Sequence, residues 1–501
     1  MKIINVTKNA LLITTILLSS NAVADVKPAS LFTDNMILQQ QTDAPIWGWA
    51  DAGEKITVTA SWGEIKNTTT NEKGEWLITL PTPKATENSE QSYSLTFDAN
   101  NQIIVNNVLV GEVWLASGQS NMGYTIGMLE LSEQQIGDSD QPMIREYTVD
   151  QNASGTPVDD TKGNWIVASK NTIGNFSGTA YFFARNIQKT INVPVGIINS
   201  SWGGTSIEGW LSKDTQKSHH VTQSLIAKID KWERDFDVDK NQIPFNESHE
   251  KWRKYKQVTE QLNLEFNQDE PQLIERKYKP HYYPGNLYNG MINPLIPYAL
   301  KGIIWYQGEF NASLADNAYF YQKQLTDLIL SWRNDWKNAE LPFYAVQLAN
   351  FHAPQLNPVE HKQYWPINRE AMRKSIGNLD NAGMALTIDI GDAENIHPQN
   401  KMELGRRLAL LALHNDYEQK VEPSGPLYKS FKIEGNAILI EFDHIGSGLM
   451  AKGGTGIHGF AIAGKDGDYV WADAKIITRA QDAKQLIKVS NKLIPEPKSV
   501  R

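Results

Sequence analysis

The sequence predicts an α/β fold built on a parallel sheet and flanked by β-rich segments. Three observations carry that expectation. From Gly111 onward, short apolar strands run into glycine-rich turns and then into helical periodicity, as strands covered by helices on both faces do. Residues 25–108 and those after 416 alternate apolar and polar positions between turn residues, the pattern of half-exposed antiparallel strands. The length of 501 residues exceeds what one core holds, so more than one structural unit is expected.

The first residues place Lys2 and Lys8 ahead of an apolar run over 10–18 and the small-residue pattern Ala22-Val23-Ala24. This is the layout of a secretory signal peptide over residues 1–24, and it predicts an exported, periplasmic or secreted protein. The run is well short of the ~20 residues that span a bilayer, so no membrane partner is expected after cleavage. Residues 25–108 follow as an N-terminal β unit, with strands at 44–49, 55–60 and 75–80 separated by Asp51-Ala52-Gly53 and Asn71-Glu72-Lys73-Gly74. An α/β unit over 109–415 then carries buried strands at 112–116, 195–199, 302–306, 342–348 and 384–389. Between the second and third of these, residues 212–283 are polar but repeat Trp, Leu and Ile at helical spacing, which predicts an inserted pair of helices. Strands at 431–433, 437–442, 458–462 and 469–471 make a closing β unit over 416–501.

Composition narrows the chemistry. A net charge of -9 without a Lys/Arg cluster argues against nucleic acid or an anionic membrane as partner. The chain has no cysteine, which removes disulfides, thiol catalysis and cysteine-ligated metal. His219, His220, His352 and His361 show no zinc-site spacing, so neither a metal nor an organic cofactor is expected.

In open α/β sheets, reactive groups collect beyond the carboxyl ends of the strands. Four turns lie there. Ser117-Gly118-Gln119-Ser120-Asn121-Met122 can present the Ser120 hydroxyl, with its own N–H turned toward a developing oxyanion. Ser200-Ser201-Trp202-Gly203-Gly204-Thr205 has paired glycines that let a backbone N–H approach a ligand closely. Gln307-Gly308-Glu309-Phe310-Asn311 brings two side-chain amides to a strand end. The fourth, from Asp389 through Asp392, Glu394 and Asn395 to His397-Pro398, offers a base with carboxylates upstream to hold its tautomer. Each turn alone also fits a structural part, a helix cap or a buried amide. Together they supply a nucleophile, a base, an orienting acid and oxyanion donors on one edge of one sheet.

The same turns resemble a known family. Gly-Gln-Ser-Asn-Met, Ser-Trp-Gly-Gly-Thr, Trp-Tyr-Gln-Gly-Glu-x-Asn and Ile-His-Pro-x-x-Lys, in this order, are similar to the sialate O-acetylesterases, a branch of the SGNH hydrolases. The likeness extends to residues 31–40, 108–114 and 287–292. It implies a three-layer α/β/α SGNH domain flanked by β-sandwich-like domains, and hydrolysis of O-acetyl esters on a sugar or glycan. By the same resemblance Ser120 is the nucleophile and His397 its base. The oxyanion hole falls to the N–H groups of Ser120, Gly203 and Gly204 with an amide from Gln307 or Asn311. Glu394 stands where SGNH enzymes carry an aspartate three residues before the histidine, and Asn395 where relatives often have one, so the orienting group is left among Glu394, Asp392 as the second candidate, and a backbone carbonyl, as in relatives with a serine–histidine pair. Phe310 replaces a small residue, and relatives continue past Arg501, which implies a closing β unit short of a strand or two. Gln119, Trp202, Trp210, Tyr306, Phe310 and Arg369 are candidate sugar contacts. Sialic acid offers a carboxylate to Arg369 and acetylated xylan does not; the sequence leaves both substrates open. A non-catalytic carbohydrate-binding protein on the same scaffold is the alternative from another class.

Overall fold

A computed structural model of the chain describes residues 25–85, 91–131, 139–234, 238–261, 266, 271, 279–359, 364–454 and 456–501. The predicted signal peptide, residues 1–24, lies outside them. At the centre is a sheet of seven strands: β1 (Gln102–Gly118), β2 (Gln141–Thr148), β3 (Trp165–Ala168), β4 (Val195–Ser201), β5 (Gly302–Tyr306), β6 (Phe343–Val346) and β7 (Ala382–Ala385). They run in the order β3-β2-β4-β1-β5-β6-β7, all parallel except the edge strand β3.

The alternation of side chains along each strand gives this sheet two buried faces. On β1, Val113 and Leu115 join one cluster with Ile303, Trp305 and Phe343, whereas Trp114 and Ala116 join the other with Ile197, Ile304 and Tyr344. Helices α5 (Ala315–Asp335) and α6 (Trp365–Gly377) cover the first face through Leu325, Trp332 and Met372. The second is covered by α2 (Gly178–Ile191) and α7 (Lys401–Asn415) through Phe183, Leu404 and Leu408. These two helices nearly touch. A Cβ on Gly405 would lie 2.5 Å from the Phe182 Cβ, so a glycine is required at the crossing. Their starts are capped by Ser177, which accepts from the Ala180 N–H, and Asn400, which accepts from that of Glu403.

The flanking units are β-rich, as expected. Strand β1 is shared: Tyr93–Asp98 pairs antiparallel with its first half, and β4 and β5 pair parallel with its second. The anticipated boundary at 108 therefore falls inside one continuous strand. Facing the sheet of Lys55–Ala60, Ile65–Thr69 and Tyr93–Asp98 are Asp43–Trp49 and Glu75–Pro81, with Trp76 against Phe97 at 5.9 Å between ring centroids. In the inserted region lie α3 (His220–Arg234) and α4 (Val238–Gln261). After α7, Leu427–Glu434, Ala437–Asp443, Gln485–Ser490 and Asp473–Thr478 form a four-stranded antiparallel sheet, and Ser499–Val500 pairs with Ala461–Ala463. Among the described residues, no helix is long and apolar enough to cross a membrane.

The fifth predicted strand is shorter than its sequence suggests, ending at Ala385 instead of 389. Side chains take over the polar groups beyond it: Arg407 donates to the Leu386 carbonyl at 2.7 Å and to Asp389 Oδ1 at 2.6 Å. Released from the sheet, the chain can loop back toward β1 before α7.

Candidate active site

The chain passes from β1 to strands on one side, β2 to β4, and then crosses to β5 on the other, so the carboxyl end of β1 is the topological switch point. Gly118 ends β1 at φ +136°, where a Cβ would lie 2.1 Å from the Tyr306 carbonyl oxygen; only glycine can make the turn. The short helix α1 (Ser120–Gly123) starts there, and its first N–H groups have no intrahelical acceptor. Opposite, the Gly203 turn comes so close that a Cβ on it would stand 3.2 Å from that of Ser120. Gly204, at φ +70°, opens onto free space. Among the described residues neither glycine N–H has a partner in the fold.

His397 arrives from the loop between β7 and α7, 277 positions further along the chain, and its Nε2 lies 2.9 Å from the Ser120 Oγ. The Tyr124 ring stacks on the imidazole at 5.2 Å and 20°. Burial, with the positive charge of Lys401 behind it, holds the His397 pKa below the usual imidazole value. Near pH 7 the ring is therefore neutral and its Nε2 can accept the hydroxyl proton.

Beneath this pair lies a buried polar latch. Asn121 Oδ1 accepts from Lys401 Nζ at 2.6 Å, and Asn121 Nδ2 donates to Glu309 Oε1 at 2.6 Å and to the Ile396 carbonyl at 3.0 Å. One side chain thus ties the residue after the nucleophile to the residue before the base. Lys401 is 0% exposed and Glu309 5%. Desolvation raises the Glu309 pKa and lowers that of Lys401 to about 7, each group being pushed toward its neutral form. The sequence alone gives none of the three a role, although Asn121, Glu309 and Lys401 all stand in the motifs of the four turns; a lysine three residues past a His-Pro is the available signal.

The other predicted residues divide. Gln307 and Asn311 are both 0% exposed and belong to a closed network. Gln307 Nε2 donates to Asn311 Oδ1 at 2.9 Å and to the Thr205 carbonyl at 3.1 Å, while Asn311 Nδ2 donates to Glu208 Oε2 at 3.0 Å. These amides buttress the Gly203–Gly204 turn from below. Gln119, also buried, accepts from Gln307 Nε2 at 3.2 Å, so it joins this network instead of meeting sugar. Tyr306 and Trp210 are core residues, 1% and 0% exposed, and cannot stack on a substrate. Among the described residues no hydrogen bond links Glu394 or Asp392 to the imidazole. The loop is folded on Asx turns: Asp392 Oδ1 accepts the Glu394 N–H at 2.8 Å and Asn395 Oδ1 that of His397 at 2.9 Å, leaving Glu394 in solvent. Arg369 sits on α6 with its Nη1 buried and unpartnered, and among the described residues no hydrogen bond or ion pair joins it to Ser120 or His397. Trp202 is half-buried and Phe310 is 40% exposed; both remain at the rim.

A cleft of about 420 Å³ between Trp47, Trp49, Trp76 and the 293–297 segment includes none of these residues; Ser120 and His397 are themselves half-buried, within reach of solvent. Among the described residues no group of three or more His, Asp or Glu could hold a metal ion.

Comparison with known proteins identifies the family. A family model described as carbohydrate esterase, sialic acid-specific acetylesterase, matches residues 110–240 and 273–414. A sialate O-acetylesterase of Mus musculus is 28% identical over 434 residues, covering 81% of this chain and 76% of its own. The Homo sapiens sialate O-acetylesterase is 26% identical over 449 residues, with 83% and 76% covered. Among solved structures, a carbohydrate acetylesterase from Xanthomonas citri superposes with a TM-score of 0.77 at 30% identity, over 95% of this chain and 94% of that one.

Proposed function

The chain belongs to the sialic acid-specific acetylesterase family of carbohydrate esterases, and we propose that it removes O-acetyl groups from carbohydrates through an acetyl-enzyme on Ser120. The observation that carries this reading is the 2.9 Å hydrogen bond between Ser120 Oγ and the neutral His397 Nε2 at a solvent-reachable rim. Ser120 Oγ attacks the acetyl carbonyl carbon as Nε2 takes its proton, and the intermediate expels the sugar oxygen, which receives that proton. Water then attacks the acetyl-serine with the same base, and acetate leaves. The N–H groups of Ser120, Gly203 and Gly204 receive the oxyanion.

Orientation of the base does not require a carboxylate on its second ring nitrogen. The Tyr124 stack fixes the ring plane, Asn395 fixes the His397 N–H, and the Asn121–Ile396 tie fixes the loop. Lys401 and Glu309 hold Asn121 from either side and are positioning residues. Export is supported by the N-terminal pattern and is checked by sequencing the N-terminus of the mature protein.

Acetate release from O-acetylated sialosides and xylo-oligosaccharides tests the activity and the substrate together. Ser120→Ala is expected to lower it by at least about 10³-fold with folding intact, and to abolish labelling by a fluorophosphonate. Retained turnover in Ser120→Ala, or a wild-type protein inert toward every acetyl ester, contradicts the proposal.

A further inference from the structure

Beside Ser120, four aromatic rings from three separate segments lie in unbroken contact. Trp202, one residue before the Gly203 turn, packs on His281 at 4.6 Å between ring centroids. His281 meets Tyr282 at 4.3 Å, and Tyr282 lies nearly parallel to Phe310 at 6.0 Å and 29°. The first and last rings belong to the turns after β4 and β5, the two strands that flank the nucleophile's strand. The middle two come from the short helical turn Pro280–Tyr282, where the chain returns from the inserted helices. That turn is fastened by Asn286 Nδ2, which donates to the Pro280 carbonyl at 3.0 Å.

The cluster is rooted in the core through Trp202 and opens toward solvent at Phe310. Trp202, His281 and Tyr282 are half-buried and Phe310 is 40% exposed, in a protein whose other large aromatics include ten Trp and Tyr side chains less than 2% exposed. Exposed aromatic surface is costly in water unless something covers it. Burial also keeps His281 below the usual imidazole pKa, so near neutral pH the strip carries no charge of its own. Its shape and chemistry fit the apolar C–H face of a pyranose, which stacks on the electron-rich face of an aromatic ring. An acidic or strongly hydrated ligand gains little there.

We propose that Trp202, His281, Tyr282 and Phe310 form a glycan subsite that holds the sugar rings neighbouring the acetylated one, so that the inserted segment selects oligosaccharides over small esters. This rests on the esterase reading of Ser120, and the subsite adds recognition to it. Tyr282 and Phe310 lie at the outer end of the strip, so truncating them removes ring surface without disturbing the Gly203 turn.

The test compares wild type with Tyr282→Ala, Phe310→Ala and the double variant. Each is assayed on 4-nitrophenyl acetate and on chemically O-acetylated xylohexaose and an O-acetylated sialyl-oligosaccharide. Binding of the deacetylated oligosaccharides to Ser120→Ala protein, with and without the Tyr282 change, is measured by titration calorimetry. The expected result is a kcat/KM lowered about tenfold per ring on at least one oligosaccharide, carried by KM, with 4-nitrophenyl acetate unchanged within about twofold. Equal losses on all substrates, or none on either oligosaccharide, overturn the subsite. Should wild type hydrolyse nothing while Ser120→Ala binds glycan in a Tyr282-dependent way, the catalytic reading fails and the subsite stands.

Discussion

Replacing Asn121 by alanine removes three hydrogen bonds at once: from Lys401 Nζ at 2.6 Å, to Glu309 Oε1 at 2.6 Å and to the Ile396 carbonyl at 3.0 Å. A hydrogen bond contributes about 1 kcal/mol between neutral groups and about 1.5–3 kcal/mol when one partner is charged, as Lys401 is below about pH 7. Lys401 and Glu309, at 0% and 5% exposure, also lose the neighbour that replaced water. These terms overlap, so the expected loss of stability is about 3–5 kcal/mol, the usual result of orphaning one side of a buried polar pair. The kinetic effect comes from the Ile396 tie. Without it the loop before His397 is free to relax, and a displacement of about 1 Å from reacting geometry costs about 100-fold in rate. Activity on 4-nitrophenyl acetate is measured at a temperature where circular dichroism shows the variant folded. The expected result is a kcat about 100-fold lower with KM within about threefold. Asn121→Asp keeps the shape and the Lys401 contact but turns a carboxylate toward Glu309 and the Ile396 carbonyl, and should be nearly as slow. A folded Asn121→Ala protein with wild-type kcat refutes the idea that this side chain positions the base.

Three further changes probe the same site. Gly203→Ala places a methyl 3.2 Å from the Ser120 Cβ, so the serine or the turn must yield by a few tenths of an ångström; a loss of about tenfold or more in kcat with an unchanged melting temperature is expected, and an unaffected rate places the oxyanion elsewhere. Because His397 titrates below its ordinary value, the base stays unprotonated further into acid; the acid limb of kcat/KM should fall below about pH 6.5, and a limb above that value contradicts the burial argument. Lys401→Met removes a charge present below about pH 7 that disfavours the imidazolium; His397 is then protonated at higher pH, and the acid limb of the folded variant should move upward, which loss of packing alone would not cause.

Much of this fold is legible along the chain, and the gaps have physical causes. Apolar strands covered on both faces, such as Gly302–Tyr306, are conspicuous because burial demands an unbroken run. Gln141–Thr148 does not stand out because Arg145 and Glu146 interrupt its apolar pattern. Each is buried with partners brought from far away: Arg145 Nη1 donates to the Asn35 carbonyl at 2.9 Å, and Glu146 accepts from Asn199 Nδ2 at 3.0 Å. The edge strand Trp165–Ala168 is too short to show a period. At the site, glycine turns after strands pointed to Ser120 and to Gly203, and the His-Pro before a helix pointed to His397. What could not be read was which polar side chains face the reaction and which face one another. Gln307 looks like an oxyanion donor until the position of Asn311 and Thr205 is known.

The latch also bears on why the protein buries ionisable groups there at all. Well-packed apolar side chains in place of a buried polar pair commonly leave a protein as stable or more so. Lys401, Asn121 and Glu309 therefore make a weak case as stabilising elements. Their placement makes a stronger one. Each comes from a different turn at the sheet's carboxyl edge: after β1, after β5 and at the start of α7. An apolar contact among these turns would tolerate sliding, because dispersion has no preferred direction. Hydrogen bonds of 2.6 Å, made out of contact with water, tolerate very little. Where, among the described residues, no carboxylate holds the base, directional bonds between turns are what can keep Nε2 within reach of the hydroxyl through both halves of the reaction.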